Sequence, residues 1–353
     1  MKRIREKLRQ MLSHDIGIDL GTANTLVYLK GRGIVINEPS VVAVNQKTGQ
    51  VVAVGAEAKM MLGRTPAHIS AVRPLVDGVI SDFEVTEEML AYLLSKAQEN
   101  SRKIMAPRVV VGVPSGITSV EIRAVRDAAI SAGAGVVHIV EEPMAAAIGM
   151  RLPIHDPVGS VGVESGVGTL DIAVVSLGGM VRSKNLRIAG DKFSTDIISY
   201  IRNQFKILIG EKTAESVKFV ATALVPLDVT LEARVKGRDL VTGLPREVII
   251  TDADVREALG GSIESLVLAI REVLEATPPE VLADIIERGI FLSGGGALLR
   301  GLPEVLEAEL GIKIHVASDP LGAVARGTGV ILEDLEKYES ILIENEDELP
   351  QKL

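Results

Sequence analysis

The chain has 353 residues, about two domains at roughly 100–200 residues each. Apolar residues make up 47% and charged residues 24%, enough for a substantial core, which excludes a disordered or fibrous chain. With no Cys, disulfides, thiolate catalysis and Cys-ligated metals are excluded; no Trp, 3% aromatics and a net charge of −9 disfavour base stacking and nonspecific polyanion binding, so no nucleic-acid partner is expected.

Residues 1–12, MKRIREKLRQML, hold five bases against one acid. Ile4, Leu8, Met11 and Leu12 fall at i, i+4, i+7 and i+8, one stripe of a helix, and no signal-peptide apolar region is present. The pattern fits a short helix lying on an anionic membrane, weak in one copy and strong by avidity in many. A packed or frayed terminal helix is the plainer reading. Residues 17–25, GIDLGTANT, then read as a strand, an acid, a Gly-bearing turn and a second strand: a β-hairpin with a small tip. Residues 35–78 mix strands with a short helical piece around 56–63, and residues 84–100 form an amphipathic helix. Ile104 and Met105 are an apolar pair in a polar connection. Val109–Val113 is a buried strand ending in Pro-Ser-Gly.

Val140 to Ala147 read as a strand end running into a helix, with Pro143 suited to its first position and Glu142 at the entrance. A carboxylate there is often a cap; in a phosphate site it orients an attacking water. Residues 162–170, GVESGVGTL, repeat the first hairpin 145 residues on. Gly-rich tips approach phosphate closely, and the acid in the same register, Asp19 or Glu164, is placed to hold Mg²⁺ through its water shell. Two such hairpins imply a duplicated domain. A helix is expected over Asp191–Ile209, then GEKTAESVK, then alternating Val/Thr/Leu strands to about 256. Residues 254–275 are an amphipathic helix. A strand ends in Gly294-Gly295-Gly296, followed by a helix start at Ala297, a loop that admits a ribose or ring if it is not simply required for packing. Residues 333–353 carry eight acids and two bases, and the last dozen or so are expected to be a solvated tail.

Two phosphate hairpins, an acid at a helix entrance and a triple-glycine loop resemble the signature shared by actin, DnaK-type chaperones and sugar kinases. The segments DIGIDLGTANTLVY, AVRPLVDGVISDFEVTEEML, VVVGVPSGIT, VEEPMAAAIG, IISYIR, IGEKTAE, VKGRDLVTGLP, LSGGGALLRGL and DPLGAVARGTG resemble, in order, those of the MreB family (with its Mbl paralogues), over roughly residues 1–345. The resemblance implies an α/β actin-like ATPase fold. Two duplicated ribonuclease H-like halves would flank a nucleotide cleft, each with an inserted subdomain. The first half would comprise 13–34 and 79–157, completed by about 330–345, with 35–78 inserted. The second would comprise 158–190 and 257–329, with 191–256 inserted. Residues 1–12 would be a membrane helix and 346–353 an acidic tail.

By matching position, Gly21, Thr22, Ala23 and Asn24 fall on the first phosphate hairpin, and Gly166, Val167, Gly168 and Thr169 on the second. Asp19 and Glu164 fall on the metal-facing acids, and Glu142 on the catalytic acid. Glu211, Glu215 and Lys218 fall in the segment that contacts ribose and base, and Gly294, Gly295, Gly296 and Ala297 on the adenosine loop. Ile104 and Met105 lie where the family has a second membrane-inserting loop. The implied cofactors are ATP and Mg²⁺. The implied partners are further copies of the chain, in head-to-tail filaments paired as antiparallel double protofilaments, the anionic inner face of the cell membrane, and membrane proteins of cell-wall elongation. The implied role is a cytoplasmic, peripheral filament that sets rod shape.

The second hairpin departs from the family pattern D-I-G-G-G-T-T-[DE]. Glu164 moves its carboxylate by ~1 Å, a misplacement that can cost ~100-fold in rate. Leu170 is expected to replace a Thr hydroxyl near the γ-phosphate, and Val167 is the lesser change. Slowed hydrolysis is therefore expected, and a degenerate scaffold that polymerises with little or no hydrolysis is the alternative. Residues 220–226, VATALVP, also depart, at a nucleotide roof or a subunit contact. A sugar-type kinase would need a substrate-side acid and a larger substrate domain, and a DnaK-type chaperone a further peptide-binding domain; neither is expected here.

Overall fold

In the computed structural model, which describes residues 14–99 and 105–343, the chain forms two units. The first comprises residues up to Val158, Val175–Met180 and the chain from Leu321 onward. Its strands are β1 (Asp15–Leu20), β2 (Asn24–Leu29), β3 (Gly33–Pro39), β4 (Val42–Asn45), β5 (Val51–Val54), β6 (Ile69–Val72), the short pair β7 (Leu75–Val76) and β8 (Val79–Ile80), β9 (Arg108–Val113) and β10 (Val136–Glu141). Its first helices are α1 (Ala56–Met61), α2 (Phe83–Gln98), α3 (Ser119–Ser131) and α4 (Glu142–Gly149). The main sheet has the order β10-β9-β1-β2-β3, with β1 and β2 antiparallel and β1, β9 and β10 parallel. Every residue of the Val-rich β9 is buried, as expected of a central strand covered on both faces. Within the 35–78 insertion, β4, β5 and β6 make their own three-stranded sheet.

The helices start on local chemistry. Asp82 caps α2 by accepting from the Val85 amide at 3.1 Å. Thr118 and Glu121 form a capping box on α3. The buried stripe of α2, Met89, Leu90, Leu93, Leu94 and Ala97, follows the helical period and joins Ile16, Ile18, Val109 and Val111 in the core.

The second unit comprises Gly159–Val174 and Val181–Pro320. It contains β11 (Ser160–Ser165), most of β12 (Leu170–Ser176) and of β13 (Gly179–Leu186), α5 (Gly190–Phe205), β14 (Ile207–Leu208), α6 (Glu211–Ala221), β15 (Glu232–Asp239), β16 (Pro245–Thr251), α7 (Asp252–Glu275), α8 (Pro279–Arg288), β17 (Ile290–Ser293), a 3₁₀ turn at Gly295–Leu298, α9 (Leu302–Leu310) and β18 (Ile314–Val316). The sheet order β13-β12-β11-β17-β18 repeats the first sheet strand for strand, with β11, β17 and β18 parallel. The duplication inferred from the two hairpins is thus a duplication of whole sheets. Strands β14, β15 and β16 form the sheet of the second insertion.

Three elements differ from the sequence reading. The helix expected to reach Ile209 stops at Phe205, because Lys206 adopts a left-handed conformation (φ 57°) and turns the chain into β14. The triple-glycine loop leads into a single 3₁₀ turn, and the α-helix starts only at Leu302. The chain rejoins the first unit at Leu321, earlier than about 330, because the final helix α10 (Ala323–Glu333) packs on α4 and β1. That packing is backbone to backbone. A Cβ at Gly149 would overlap the Ala323 carbonyl, and one at Gly327 the Ala145 carbonyl. Among the described residues, no helix is long and apolar enough to cross a membrane.

Candidate functional site

In the first unit the candidate residues gather at the carboxyl ends of parallel strands, where open α/β sheets bind their ligands. Asp19 on β1 pairs with Gly112 on β9, and Gly112 pairs in turn with Val140 on β10. Glu142 follows two residues later. It is buried, and a Cβ at Gly112 would lie 3.5 Å from its Cγ, an ordinary contact, so Glu142 packs directly over the end of β9. Glu142 is the first residue of α4 rather than its cap. The cap is Glu141, with no side-chain capping bond, and Pro143 takes the second position. The capping role therefore does not explain Glu142. Burial pushes the Asp19 carboxyl up to about 7. A carboxylate at that position is costly until a cation compensates it.

The hairpin tip lies beyond its last ladder pair, Leu20–Thr25. Its shape is fixed from outside by Ser40, which sequence reasoning missed. The Ser40 hydroxyl donates to Gly21 O at 2.6 Å, and its amide donates to Ala23 O at 2.9 Å. Thr22 Oγ1 accepts from the Gly78 amide at 2.9 Å, which ties the tip to the β7–β8 turn. A Cβ at Gly21 would fall 2.6 Å from Asn24 O, so the turn requires glycine. Asn24 itself donates to Asn37 Oδ1 at 2.6 Å, a tie to β3 rather than an open tip donor.

The second unit repeats the plan with different parts. The Gly166 amide closes the tip on Thr169 O at 2.9 Å. The amides of Gly190 and Asp191, at the start of α5, donate to Gly166 O (3.3 Å) and Val167 O (2.8 Å). The tip is thus held by a helix start where the first is held by Ser40. Glu164 is buried at the end of β11, with both carboxylate oxygens within 4 Å of where a Cβ at Gly166 would stand. Gly168 and Thr169 are buried at the tip and Val167 is half-buried.

Leu170 is not where the sequence reading put it. Its side chain has no exposure and lies in the core with Val163, Ile172 and Leu266, bordering a cavity of about 10 Å³ with Leu292 and Leu302. Along β12, Leu170, Ile172 and Val174 share the core face, and Asp171 points to the opposite one, where it accepts from Asn185 Nδ2 at 3.0 Å. The Thr-to-Leu departure is a change in the core, not an exchange of hydroxyl for alkyl at a phosphate. Glu164 stands as the departure that faces the site.

In the triple-glycine loop, Gly294 has φ +78°, and a Cβ on it would overlap Ser165 O and Glu164 Oε1. A Cβ on Gly296 would overlap Ser165 Oγ. Both glycines are required by close packing on the end of β11. Gly295 is half-buried and Ala297 buried. The departing segment 220–226 braces the stretch that follows. The Leu224 amide donates to Arg300 O at 2.9 Å, and Arg256 donates to Ala223 O and Val225 O at 3.0 Å each. Ala221 to Leu224 are buried, while Phe219 and Val220 are exposed.

Glu211, Glu215 and Lys218 lie at i, i+4 and i+7 on one face of α6. Glu211 is exposed and Glu215 half-buried. Lys218 is buried, and its Nζ donates to Gly190 O (2.8 Å) and Ser194 Oγ (3.2 Å). Met105 is exposed; Ile104, Ile4, Leu8, Met11 and Leu12 lie outside the described residues.

Residues 13–340 match the model of the MreB/Mbl protein family. The chain belongs to the MreB/Mbl family. It is 49% identical to the cell shape-determining protein MreB of Escherichia coli K12, over 97% of this chain and 99% of that protein. It is 48% identical to the cell shape-determining protein Mbl of Bacillus subtilis 168, over 93% and 98%. MreB5 of Spiroplasma citri, solved with ADP, superposes with a TM-score of 0.87 at 38% identity, covering 93% of this chain and 98% of that one; MreB5 has also been solved with AMPPNP. The duplicated sheets described above are those of the actin-like fold, and the hairpin resemblance read from the sequence is a family relationship.

Proposed function

We propose that this MreB/Mbl-family chain binds Mg-ATP through its two phosphate hairpins and polymerises head to tail, and that the filaments help to set cell shape and to position cell-wall synthesis. One observation carries the nucleotide reading: each unit has a glycine-bearing hairpin tip, held from outside, beside an acid in the same register. Relatives solved with ADP and AMPPNP support it. The groups present fit Mg-ATP. Asp19 and Glu164 offer hard carboxylate oxygens of the kind Mg²⁺ takes, and both tips are small enough for phosphate to approach the backbone. Mg²⁺ supplies charge neutralisation to the phosphates. Asp19 and Glu164 would hold it through its water shell, Glu142 would orient the attacking water, Gly295 and Ala297 would meet adenosine, and Glu211 and Glu215 the ribose side.

A head-to-tail contact does not close, so it yields a filament. A filament would carry residues 1–12 in many copies. Each base there adds ~1 kcal/mol near an anionic leaflet, and many copies bind together. The reading is of a peripheral protein on the inner face of the membrane, with wall-elongation membrane proteins as further partners. Glu164 favours a second reading, a filament that turns over slowly or not at all.

Sedimentation with and without Mg-ATP, on anionic vesicles and alone, combined with phosphate release, tests this reading. The wild type should pellet with Mg-ATP, and Glu142→Gln should pellet equally while releasing at least ~100-fold less phosphate, the range of a lost general base. Sedimentation indifferent to nucleotide would leave the scaffold reading, and no sedimentation at all would refute both.

A further inference from the structure

We propose that Lys218 is a positioning residue: it pins the first turn of α5 and, through that turn, the tip of the second phosphate hairpin. Helix α5 starts at Gly190, and its N-cap, Ala189, makes no side-chain capping bond. Its leading amides, Gly190 and Asp191, have no carbonyl partners within the helix and donate instead to Gly166 O and Val167 O. The tip therefore stands where the first turn of α5 stands.

That turn is gripped from the other side. Lys218 Nζ donates to Gly190 O at 2.8 Å and to Ser194 Oγ at 3.2 Å, and Ser194 Oγ donates to the same Gly190 O at 3.1 Å. Ser194 and Lys218 are both buried. A Cβ at Gly190 would lie 3.3 Å from Val167 Cα and 3.4 Å from Lys218 Nζ, so tip, helix start and ammonium meet at one point. Burial lowers the Lys218 pKa, and the nearby Glu215 and Asp191 favour its charged form. Bonds to a charged group are the stronger kind, so the clamp is stiff. With two of its three N–H donors committed to α5, Lys218 acts on nucleotide through the hairpin, not as a contact to ribose or base. The functional consequence rests on the nucleotide reading above, whereas the mechanical link does not.

The full chain with Lys218→Met or Ser194→Ala tests the link with two readouts. The first is hydrogen exchange without nucleotide over residues 165–169 and 189–194. Both variants should speed exchange in both segments, Lys218→Met the more. The second is equilibrium binding of Mg-ATP, Mg-dATP and Mg-GTP. Lys218→Met should weaken all three by one common factor of about tenfold, leaving their ratios unchanged. Unaltered exchange in Lys218→Met, or a tenfold change in the ATP:dATP or ATP:GTP ratio, would overturn the proposal in favour of a direct ribose or base contact. If Lys218→Met does not fold, unaltered exchange over 165–169 in Ser194→Ala overturns it equally. A wild type that binds no Mg-ATP would defeat the nucleotide reading and leave the exchange result to decide the link.

Discussion

Leu170→Thr restores the residue type of the family pattern, and the structure says that it harms the protein without speeding it. The Leu170 side chain has no exposure and borders an existing cavity of about 10 Å³. Shortening it enlarges that void, which with the lost transfer energy costs about 2 kcal/mol. The new hydroxyl enters a wall where Ser165 Oγ and Ser293 Oγ find no hydrogen-bond partner among the described residues, so a bond to either offsets its burial and the enlarged void sets the loss. A loss of about 2 kcal/mol lowers Tm by roughly 4–8 °C for a unit of this size. Thermal unfolding followed by circular dichroism measures that loss, and phosphate release per folded molecule should stay at the wild-type rate. Glu164→Asp, at the site-facing position, should instead raise phosphate release with a small change in Tm. An accelerated release in Leu170→Thr with an unchanged Tm would refute the assignment of Leu170 to the core.

Gly327→Val would drive its side chain into the Ala145 carbonyl and force α4 and α10 apart. A displacement of ~1 Å at Glu142 should cost ~100-fold in phosphate release, alongside a Tm drop in the same thermal scan. Arg108→Met would remove the bidentate partner of the buried Asp15 (2.7 and 2.9 Å), leaving Lys30 at 3.5 Å; urea unfolding should show a loss of about 3 kcal/mol. Asp239 accepts from the Val241 and Thr242 amides and from Arg246, which together hold its carboxyl down at about 2. A lowered folded pKa means stability that is present above the ordinary value of 3.8 and lost as pH falls through about 2. Denaturant midpoints of wild type and Asp239→Asn should therefore converge between pH 4 and 2 and differ most above pH 4.

Much of the fold was legible because the duplication is written twice. The two hairpins repeat an acid, a small tip and a flanking apolar strand, and that repetition located both sheets. Glu142 was legible as a helix-entrance acid, although only the structure shows that Glu141 is the cap. The side of Leu170 was obscured because β12 is buried on both faces, so alternation between Leu170 and Asp171 competes with a continuous apolar run. The allegiance of α10 was hidden for a different reason. It is fixed by backbone contacts at Gly327 and Gly149, and small residues spaced along a helix look like low-propensity noise until a partner is found. Ser40 and Lys218 were opaque in another way, since each acts through hydrogen bonds to distant main-chain atoms that no local pattern announces.

Equilibrium binding of Mg-ATP to the purified full chain tests the account most directly. The two hairpins, with Asp19 and Glu164 beside them, predict micromolar or tighter binding that requires Mg²⁺ and is lost in Asp19→Asn. No binding at millimolar Mg-ATP would contradict the nucleotide reading and leave an actin-like scaffold.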